Sequence, residues 1–226
     1  STSVVDVSAR ADLERLCDEV YDAFGEVGLL MNNAAAFRLG GAFRDAEAWE
    51  TTFAVNVMGV VHGLQVFVPR MIEQGTPCAV VNTGSKQGIT NPPGMPNYNA
   101  AKAAVKSLTE SLQHELRNAE GCQVNAHLLI PGWTTTGDRE HQPGAWLPEQ
   151  VADRLIEAIE AGDVHGAEAA MAAGVPLSVL AVAPGEADAV YAEKLVIVRP
   201  DQHVAWRGDE PPEDAIGLMR LLGGRD

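Results

Sequence analysis

Apolar and polar positions follow two periods along this chain, one typical of helices and one of buried strands. Over residues 9–24 the apolar positions fall three or four apart, which predicts an amphipathic helix ending at Gly25. Further helices are predicted over residues 46–74, 97–118 and 148–161. Short apolar runs predict buried strands at residues 4–7, 29–31, 78–81 and 123–130. Pro69 predicts a kink or a break late in the second helix.

This alternation of strands and helices predicts an α/β protein with right-handed βαβ units and a parallel sheet. The pattern changes after residue 163, where residues 174–223 predict strand, helix, strand, tight turn, strand and helix. Residues 195–207 predict a hairpin whose turn lies at Pro200 and Asp201. We therefore expect two domains, residues 1–163 and residues 164–226.

Composition limits the partners of the protein. A formal net charge of −15 over 226 residues disfavours nucleic acid and anionic membrane surfaces. No apolar run approaches the ~20 residues that span a bilayer, and no secretory signal is visible at the N-terminus. The three cysteines and six histidines lack metal-ligand spacing, so we expect a reducing, cytoplasmic compartment and no metal site.

The strongest chemical signal is the pair Tyr98 and Lys102, four residues apart on one face of a predicted helix. A phenol with a pKa near ~10 is a poor base at neutral pH, and a fixed cation beside it favours the phenolate. Ser85 lies thirteen residues upstream at a strand end, where its hydroxyl could hold a substrate oxygen. Together the three groups could move a proton to or from an alcohol or carbonyl oxygen.

Four further segments accompany this pair in a fixed order. They are LMNNAA at residues 30–35, NVMG at 56–59, VVNTGS at 80–85 and PGWTTT at 131–136. In order and spacing they resemble the NNAG segment, the catalytic-asparagine segment, the catalytic-serine strand and the PGxxxT loop of the short-chain dehydrogenase/reductase family. The resemblance covers about residues 4–163.

This resemblance implies a Rossmann-like, doubly wound parallel sheet and hydride transfer between NAD or NADP and a secondary alcohol or ketone. It implies that Tyr98 is the general acid/base and that Ser85 donates to the substrate oxygen. Lys102 would lower the pKa of Tyr98 and hold the nicotinamide ribose, and Asn56 would bind a water that links Lys102 to solvent. The structural alternatives are packing for Tyr98, a turn role for Ser85 and no special role for Asn56.

The cofactor-binding residues that the resemblance implies are Asp6, Val7, Asn33, Ala34, Ala35, Tyr98, Lys102, Pro131, Gly132, Thr134 and Thr136. Asp6 would touch the adenine ring, and Thr134 and Thr136 would contact the carboxamide. The structural alternatives are that the residues around Asp6 and Asn33 only hold the sheet together and that the two threonines cap a helix.

The chain departs from the family pattern near its N-terminus. Family members have a strand, a TGxxxGxG turn, a helix and a further strand and helix before the position of Asp6, yet no glycine triplet with this spacing occurs here. The predicted fold is therefore a partial Rossmann-like sheet, truncated before that motif and lacking its first βαβ unit. The alternative function is that of an inactive fragment or fusion that cannot bind the dinucleotide.

The sequence VRPDQHVAWRG at residues 198–208 resembles the end of the thioredoxin-like C-terminal domain of aromatic-ring flavoprotein hydroxylases. The likeness covers about residues 170–222 and implies a structural β-α-β-β-α tail without redox cysteines, in which His203 and Trp206 are structural. A divergent dehydrogenase C-terminus is the alternative.

Partners follow from the same resemblance. The side chains expected around a substrate are Phe37, Lys86, Met95, Trp133 and Trp146. Their partly aromatic character favours an apolar small-molecule alcohol or ketone. Because family members pair the helices corresponding to residues 46–74 and 97–118 across subunit interfaces, we expect a homo-oligomer, and an interaction module built on these helices is a third possibility.

Overall fold

The computed structural model describes residues 2–131, 134–135, 140–141, 143–160, 195–198 and 204–208. The chain divides into two compact units, Ser1–Ile130 and Pro131–Asp226. The elements of the first unit are α1 (Arg10–Phe24), β1 (Leu29–Asn32), α2 (Ala46–Phe53), a π-helical segment (Ala54–Met58), α3 (Gly59–Gln74), β2 (Cys78–Thr83), α4 (Gln87–Thr90), α5 (Pro96–Asn118) and β3 (Val124–Leu129).

The sheet of the first unit is parallel throughout, in the order β1-β2-β3. Leu29 of β1 lies opposite Ala79, and Cys78 of β2 lies opposite Val124. Each strand is joined to the next by a helix, so the predicted α/β architecture with a parallel sheet is confirmed. All three carboxyl strand ends meet at one edge of the sheet, next to the N-terminus of α5.

The core of this unit lies between the sheet and helices α1, α3 and α5. Its buried members are Leu13, Cys17, Val27, Phe67, Val68, Met71, Cys78, Val80, Leu116, Val124 and Ala126. Cys17 and Cys78 are thiols among these apolar side chains, and all three cysteines are unpaired. Cys78 therefore acts as a small hydrophobic residue of the core.

Two strand predictions need correction. The predicted strand at residues 4–7 is wrong, because these residues pair with no strand in the part of the chain that the structure describes. Val4 is 94% exposed, while Val5 and Val7 pack against the core without ladder bonds. Strand β1 was expected to be buried, but Leu29 and Met31 are 46% and 41% exposed and only the alternate face of the strand meets the core.

The long helix over residues 46–74 is interrupted at a different place from the one predicted. Helix α3 runs through Pro69, so the predicted break there is wrong. The interruption is the π-helical segment Ala54–Met58 instead, a geometry that is found mostly at functional sites. Asn56, the buried residue of this segment, makes a tertiary contact that no local pattern reveals.

The continuous helical run Ala46–Gln74 is long and apolar enough to cross a membrane by length and composition alone. Polar residues such as Asn56, His62 and Gln65 divide it, so it contains no contiguous apolar stretch of ~20 residues. Core helices of soluble proteins pass the same test. Phe67, Val68 and Met71 of this run are buried in the core of the first unit.

The second unit contains α6 (Pro148–Glu160) and an antiparallel hairpin of β4 (Leu195–Val198) and β5 (Val204–Gly208). Ile197 lies opposite Trp206, with an irregularity in register before Val198. The predicted helix and hairpin are therefore confirmed. The predicted turn at Pro200 and Asp201, His203 and the remaining tail elements lie outside the described residues.

Candidate active site

Lys102 is a buried cation at the carboxyl edge of the sheet. Its side chain is almost fully enclosed, with the residue 3% exposed. The ammonium nitrogen Nζ donates to the carbonyl oxygen of Thr83 at 2.7 Å, the last residue of β2. Burial lowers the pKa of Lys102 to about 8, because the charged form loses hydration.

Tyr98 lies one helical turn before Lys102, and its ring centroid is 5.7 Å from Nζ. Burial raises the pKa of the Tyr98 phenol, while hydrogen bonding by the Ser85 side chain lowers it without reversing the shift. The direction is opposite to the lowering by Lys102 that the sequence led us to expect, because loss of hydration dominates at the phenol.

Phe37 also shapes the surroundings of Tyr98. The two ring centroids are 5.1 Å apart and the planes make an angle of 61°, an edge-to-face contact. Phe37 is 58% exposed, so its ring forms a partly open apolar wall beside the phenol. The predicted place of Phe37 around a substrate stays a prediction.

Ser85 is placed by β2 and by the short helix that follows it. The amide of Gly84 donates to the carbonyl of Leu129 at 2.7 Å, which extends the β2–β3 pairing up to Ser85. The amide of Gln87, the first residue of α4, donates to Ser85 Oγ at 3.2 Å. This bond uses one of the two lone pairs of Oγ, and the O–H remains to donate toward Tyr98 or a substrate oxygen.

Helix α4 packs on α5 through Gly88, a contact that sequence reasoning missed. A Cβ atom on Gly88 would lie 2.6 Å from the carbonyl carbon of Lys102 and 2.7 Å from the amide nitrogen of Ala103. The backbone of α4 therefore contacts the backbone of α5 at the turn that carries Lys102. Gly84 and Gly88, four residues apart within the strand-to-helix connection, were the signal available in the sequence.

Asn56 is 1% exposed and holds the loop that follows β1. Its Oδ1 accepts from the amide of Ala36 at 2.6 Å, and its Nδ2 donates to the carbonyl of the same residue at 2.9 Å. The carboxamide thus makes one backbone hydrogen bond at each end. A water that links Lys102 to solvent through Asn56 stays a prediction.

A chain of polar contacts connects the predicted cofactor segment with Lys102. The hydroxyl of Thr83 donates to Asn33 Oδ1 at 3.0 Å, and the carbonyl of Thr83 accepts from Lys102. Asn33, Ala34 and Ala35 are all exposed at the end of β1. Thr83 is therefore the residue that brings Asn33 and Lys102 together, and sequence reasoning gave it no role of its own.

A second chain of hydrogen bonds crosses the sheet beneath this cluster. Asn32 Nδ2 donates to Asn82 Oδ1 at 2.8 Å, and Asn82 Nδ2 donates to Thr109 Oγ1 at 3.0 Å. The Thr109 hydroxyl donates onward to the carbonyl of Val105 at 2.7 Å. Asn82 and Thr109 are buried, and their polar side chains within apolar stretches were the signal that could have found them.

Asp6 and Val7 lie at the other side of β1. The Asp6 carboxylate accepts from the amide and hydroxyl of Ser8 at 2.9 and 2.7 Å, and these bonds lower its pKa. Val7 packs on Gly59, where an added Cβ would lie 2.8 Å from Val7 Cγ2. Val7, Asn33 and Ala34 line one cavity of about 210 Å³, so the structure brings these three predicted cofactor residues together.

A larger cavity of about 660 Å³ lies elsewhere, between the loop at residues 39–45 and the start of α5. Its lining includes Phe43, Pro93 and Asn99 but none of Ser85, Tyr98 and Lys102. It is therefore separate from the cluster that carries the chemistry.

The predicted contacts to the carboxamide belong to the second unit. Pro131 and Thr134 are described there, and Thr134 pairs with Trp146 in an isolated bridge. Gly132, Trp133 and Thr136 lie outside the described residues. The roles of this segment stay predictions.

The fold and the cluster at the strand ends define a Rossmann-like α/β protein with a tyrosine–lysine–serine site. Residues 1–143 match the short chain dehydrogenase family, and the chain belongs to this family. Residues 132–223 match the C-terminal domain of aromatic-ring hydroxylases. Both resemblances that the sequence suggested are therefore confirmed.

Individual relatives agree with this assignment. The chain is 29% identical to a CLA biosynthesis dehydrogenase/reductase of Lactiplantibacillus plantarum over 62% of this chain and 50% of that protein. It is 31% identical to a 3-oxoacyl-[acyl-carrier-protein] reductase of Thermotoga maritima over 70% of this chain and 61% of that protein. A solved short chain dehydrogenase/reductase from Burkholderia phymatum, in complex with NAD, is 38% identical with a TM-score of 0.56, covering 68% of this chain and 58% of that one.

The chain thus spans about half to three fifths of the length of these relatives. The Rossmann-like fold is nevertheless shared with them.

Proposed function

We propose that this chain is an NAD(P)-dependent oxidoreductase that interconverts a secondary alcohol and a ketone, with Tyr98 as the general acid/base. The observation that carries the proposal is the juxtaposition of Tyr98 with Ser85 and a buried Lys102 at the carboxyl edge of a parallel sheet. Ligands of open α/β sheets bind at this edge.

Tyr98 moves the proton. In the direction of ketone reduction its hydroxyl donates a proton to the substrate oxygen, and in alcohol oxidation the phenolate takes it back. The raised pKa of Tyr98 keeps the phenol protonated at neutral pH, which suits donation to a ketone. Ser85 donates a hydrogen bond to the same oxygen and stabilises the charge that develops there.

Lys102 supplies a fixed positive charge next to Tyr98. With a pKa of about 8 it is mostly protonated at neutral pH. An ammonium has three N–H donors, and Thr83 is its one acceptor among the described residues. The remaining donors fit the hydroxyls of a nicotinamide ribose, and this is the feature of the structure that favours a dinucleotide.

A nicotinamide dinucleotide, NAD or NADP, would supply or accept the hydride when bound. The residues we propose to hold it are Asp6, Val7, Asn33, Ala34, Ala35, Tyr98, Lys102, Pro131, Gly132, Thr134 and Thr136. The exposed backbone and side chains of residues 33–35, tied to Lys102 through Thr83, support the ribose end of this set. The sequence contains no glycine triplet for the pyrophosphate.

The second candidate function is a non-catalytic chain that does not bind the dinucleotide. The observation that favours it is the edge of β1, which pairs with β2 alone among the described strands. The exposed Leu29 and Met31 on this strand are side chains that a further layer would cover.

We also propose an apolar substrate, a homo-oligomer and a cytoplasmic location. The partly exposed ring of Phe37 beside Tyr98 supports an apolar substrate. Exposed Met58 and Ile72 on the 46–74 helix support its use, with α5, as a subunit interface. The three unpaired thiols are compatible with a reducing compartment.

The test is a titration of the full chain with NADH and then NADPH, following energy transfer from tryptophan to the nicotinamide. Saturable binding, followed by ketone reduction that Tyr98→Phe abolishes, is the expected result. Tyr21→Phe is the matched control, because its hydroxyl bonds to Gln74 away from the strand ends. Failure of both coenzymes to bind at millimolar concentration would support the non-catalytic alternative instead.

A further inference from the structure

Asn97, the residue before Tyr98, is a fully buried carboxamide at the start of α5. Its Nδ2 lies 2.9 Å from the carbonyl of Arg38, 2.9 Å from Thr52 Oγ1 and 3.3 Å from the carbonyl of Ala48. One side chain therefore connects α5 with α2 and with the loop that follows β1.

The loop that follows β1 is held by side chains at three points along its length. Asn56 binds both backbone groups of Ala36, and Asn97 binds the carbonyl of Arg38. Further along, the indole N–H of Trp49 donates to the carbonyl of Gly41 at 2.9 Å. Phe37 lies between the first two of these attachments, so the position of its ring against Tyr98 depends on them.

Packing around Asn97 leaves little room for another arrangement. A Cβ atom on Gly40 would lie 3.1 Å from Ala48 Cβ and 3.3 Å from Asn97 Nδ2. In addition, Oδ1 of Asn97 is buried without a hydrogen-bond partner among the described residues. A buried carbonyl oxygen without a partner lowers the stability of the fold, and an apolar residue at this position would avoid that cost. Packing alone therefore does not explain why an asparagine is present.

We propose that Asn97 is a positioning residue that fixes the loop after β1 to the first turn of α5 and thereby holds Phe37 against Tyr98. Its consequence for turnover rests on the proposed function of Tyr98, whereas the effect on the Phe37–Tyr98 contact does not. A misplacement of a reacting group by about 1 Å can cost ~100-fold in rate, so loss of the Phe37–Tyr98 contact would lower the rate of the reaction.

The experiment uses fluorine NMR of the full chain labelled with fluorotyrosine. The chain has three tyrosines, and the signal that Tyr98→Phe removes is that of Tyr98. Phe37→Ala defines the shift that results from loss of the neighbouring ring. We expect Asn97→Ala to move the Tyr98 signal most of the way to its Phe37→Ala position, and to add little in the Phe37→Ala background.

Two further variants make the comparison specific. Asn118→Ala removes the same side chain from the exposed C-terminal end of α5 and should leave the Tyr98 signal unchanged. Asn97→Asp keeps the size but turns a carboxylate oxygen toward the carbonyls of Arg38 and Ala48, so it should shift the signal at least as far as Asn97→Ala. A signal at the wild-type position in a folded Asn97→Ala protein would overturn the proposal.

If Asn97→Ala and Asn97→Asp do not fold, Asn97→Ser decides the matter, because serine keeps a hydroxyl at the start of α5 but lacks the Nδ2 group that reaches the carbonyl of Arg38. A shift toward the Phe37→Ala position supports the proposal, and an unchanged signal refutes it. Where turnover is measurable, we expect Asn97→Ala to lower kcat by about 10- to 100-fold with a smaller change in KM. An inactive wild-type chain would refute the proposed function while the NMR result still decides the role of Asn97.

Discussion

Substituting Gly88 by alanine tests whether α4 and α5 form one rigid support for Ser85 and Lys102. The new Cβ would lie 2.6 Å from the carbonyl carbon and 2.9 Å from the carbonyl oxygen of Lys102, both of them backbone atoms. Ordinary contact begins at 3.4 Å, so the two helices must separate by about 0.8 Å. Overpacking of this kind costs ~1–3 kcal/mol.

Urea unfolding followed by tryptophan fluorescence measures this cost. With a dependence on urea of ~1–3 kcal/mol per molar, the midpoint of Gly88→Ala should fall by roughly 1 M. Gly28→Ala is the matched control, since no atom lies within 4 Å of its added Cβ and its backbone angle is ordinary. We expect that control to be neutral or slightly stabilising.

The same displacement should affect the chemistry, because Ser85 accepts a hydrogen bond from the first residue of α4 and the backbone of Lys102 contacts Gly88. A shift of nearly 1 Å between them predicts a loss of kcat approaching ~100-fold in any assay where the wild type turns over. Equal unfolding midpoints for Gly88→Ala and Gly28→Ala would show that the helices do not touch as described, and the reasoning would fail.

Three further predictions concern single groups. Lys102→Met should remove a pH dependence of stability. Because the pKa of Lys102 falls to about 8 on folding, the unfolded chain binds more protons than the folded chain above that pH. Between pH 8 and 10 the free energy of unfolding of the wild type should therefore rise by up to ~1.4 kcal/mol per pH unit relative to Lys102→Met, as measured by urea titration. Parallel pH curves for the two proteins would contradict this. Asn56→Ala should lower the free energy of unfolding by ~1 kcal/mol, because the half-buried amide and carbonyl of Ala36 lose their partner, whereas Asn118→Ala should not. Asp18→Asn should cost less than ~1 kcal/mol in the same assay, since its ion pair with Arg70 is largely exposed.

Local periodicity was sufficient for most of the fold. Helix α5 was expected over residues 97–118 and forms over Pro96–Asn118, and β2 and β3 lie where continuous apolar runs placed them. Elements of this kind are specified by their own residues, through side chains that alternate between buried and exposed faces.

The features that the sequence did not reveal all depend on distant partners. An extended segment becomes a strand only when another strand supplies its ladder bonds, and residues 4–7 have none among the described residues. The π-helical segment surrounds Asn56, whose partner Ala36 lies twenty residues away. Helix α4 is too short to form alone and is held by the Ser85 side chain and by the contact of Gly88 with α5.

The candidate site divides in the same way. Tyr98, Lys102 and Ser85 could be identified from spacing and family resemblance, yet the direction of the Tyr98 pKa shift could not. That direction depends on how far burial of the phenol outweighs hydrogen bonding by the Ser85 side chain. Burial and distance between elements are properties of the assembled fold.

Proton transfer and dinucleotide binding are separable in this molecule. The bonds from Asn33 through Thr83 to Lys102, and from Asn32 through Asn82 to Thr109, are complete within β1, β2 and α5. Apart from Asn33, which directly follows β1, these bonds involve no residue outside β1, β2 and α5. Binding of a dinucleotide pyrophosphate is a separate property, because it depends on backbone amides of a glycine-rich turn at a helix N-terminus and not on these side-chain bonds. The Tyr98 environment and the coenzyme affinity can therefore be measured independently, and together the two measurements distinguish an active dehydrogenase from a chain that binds no coenzyme.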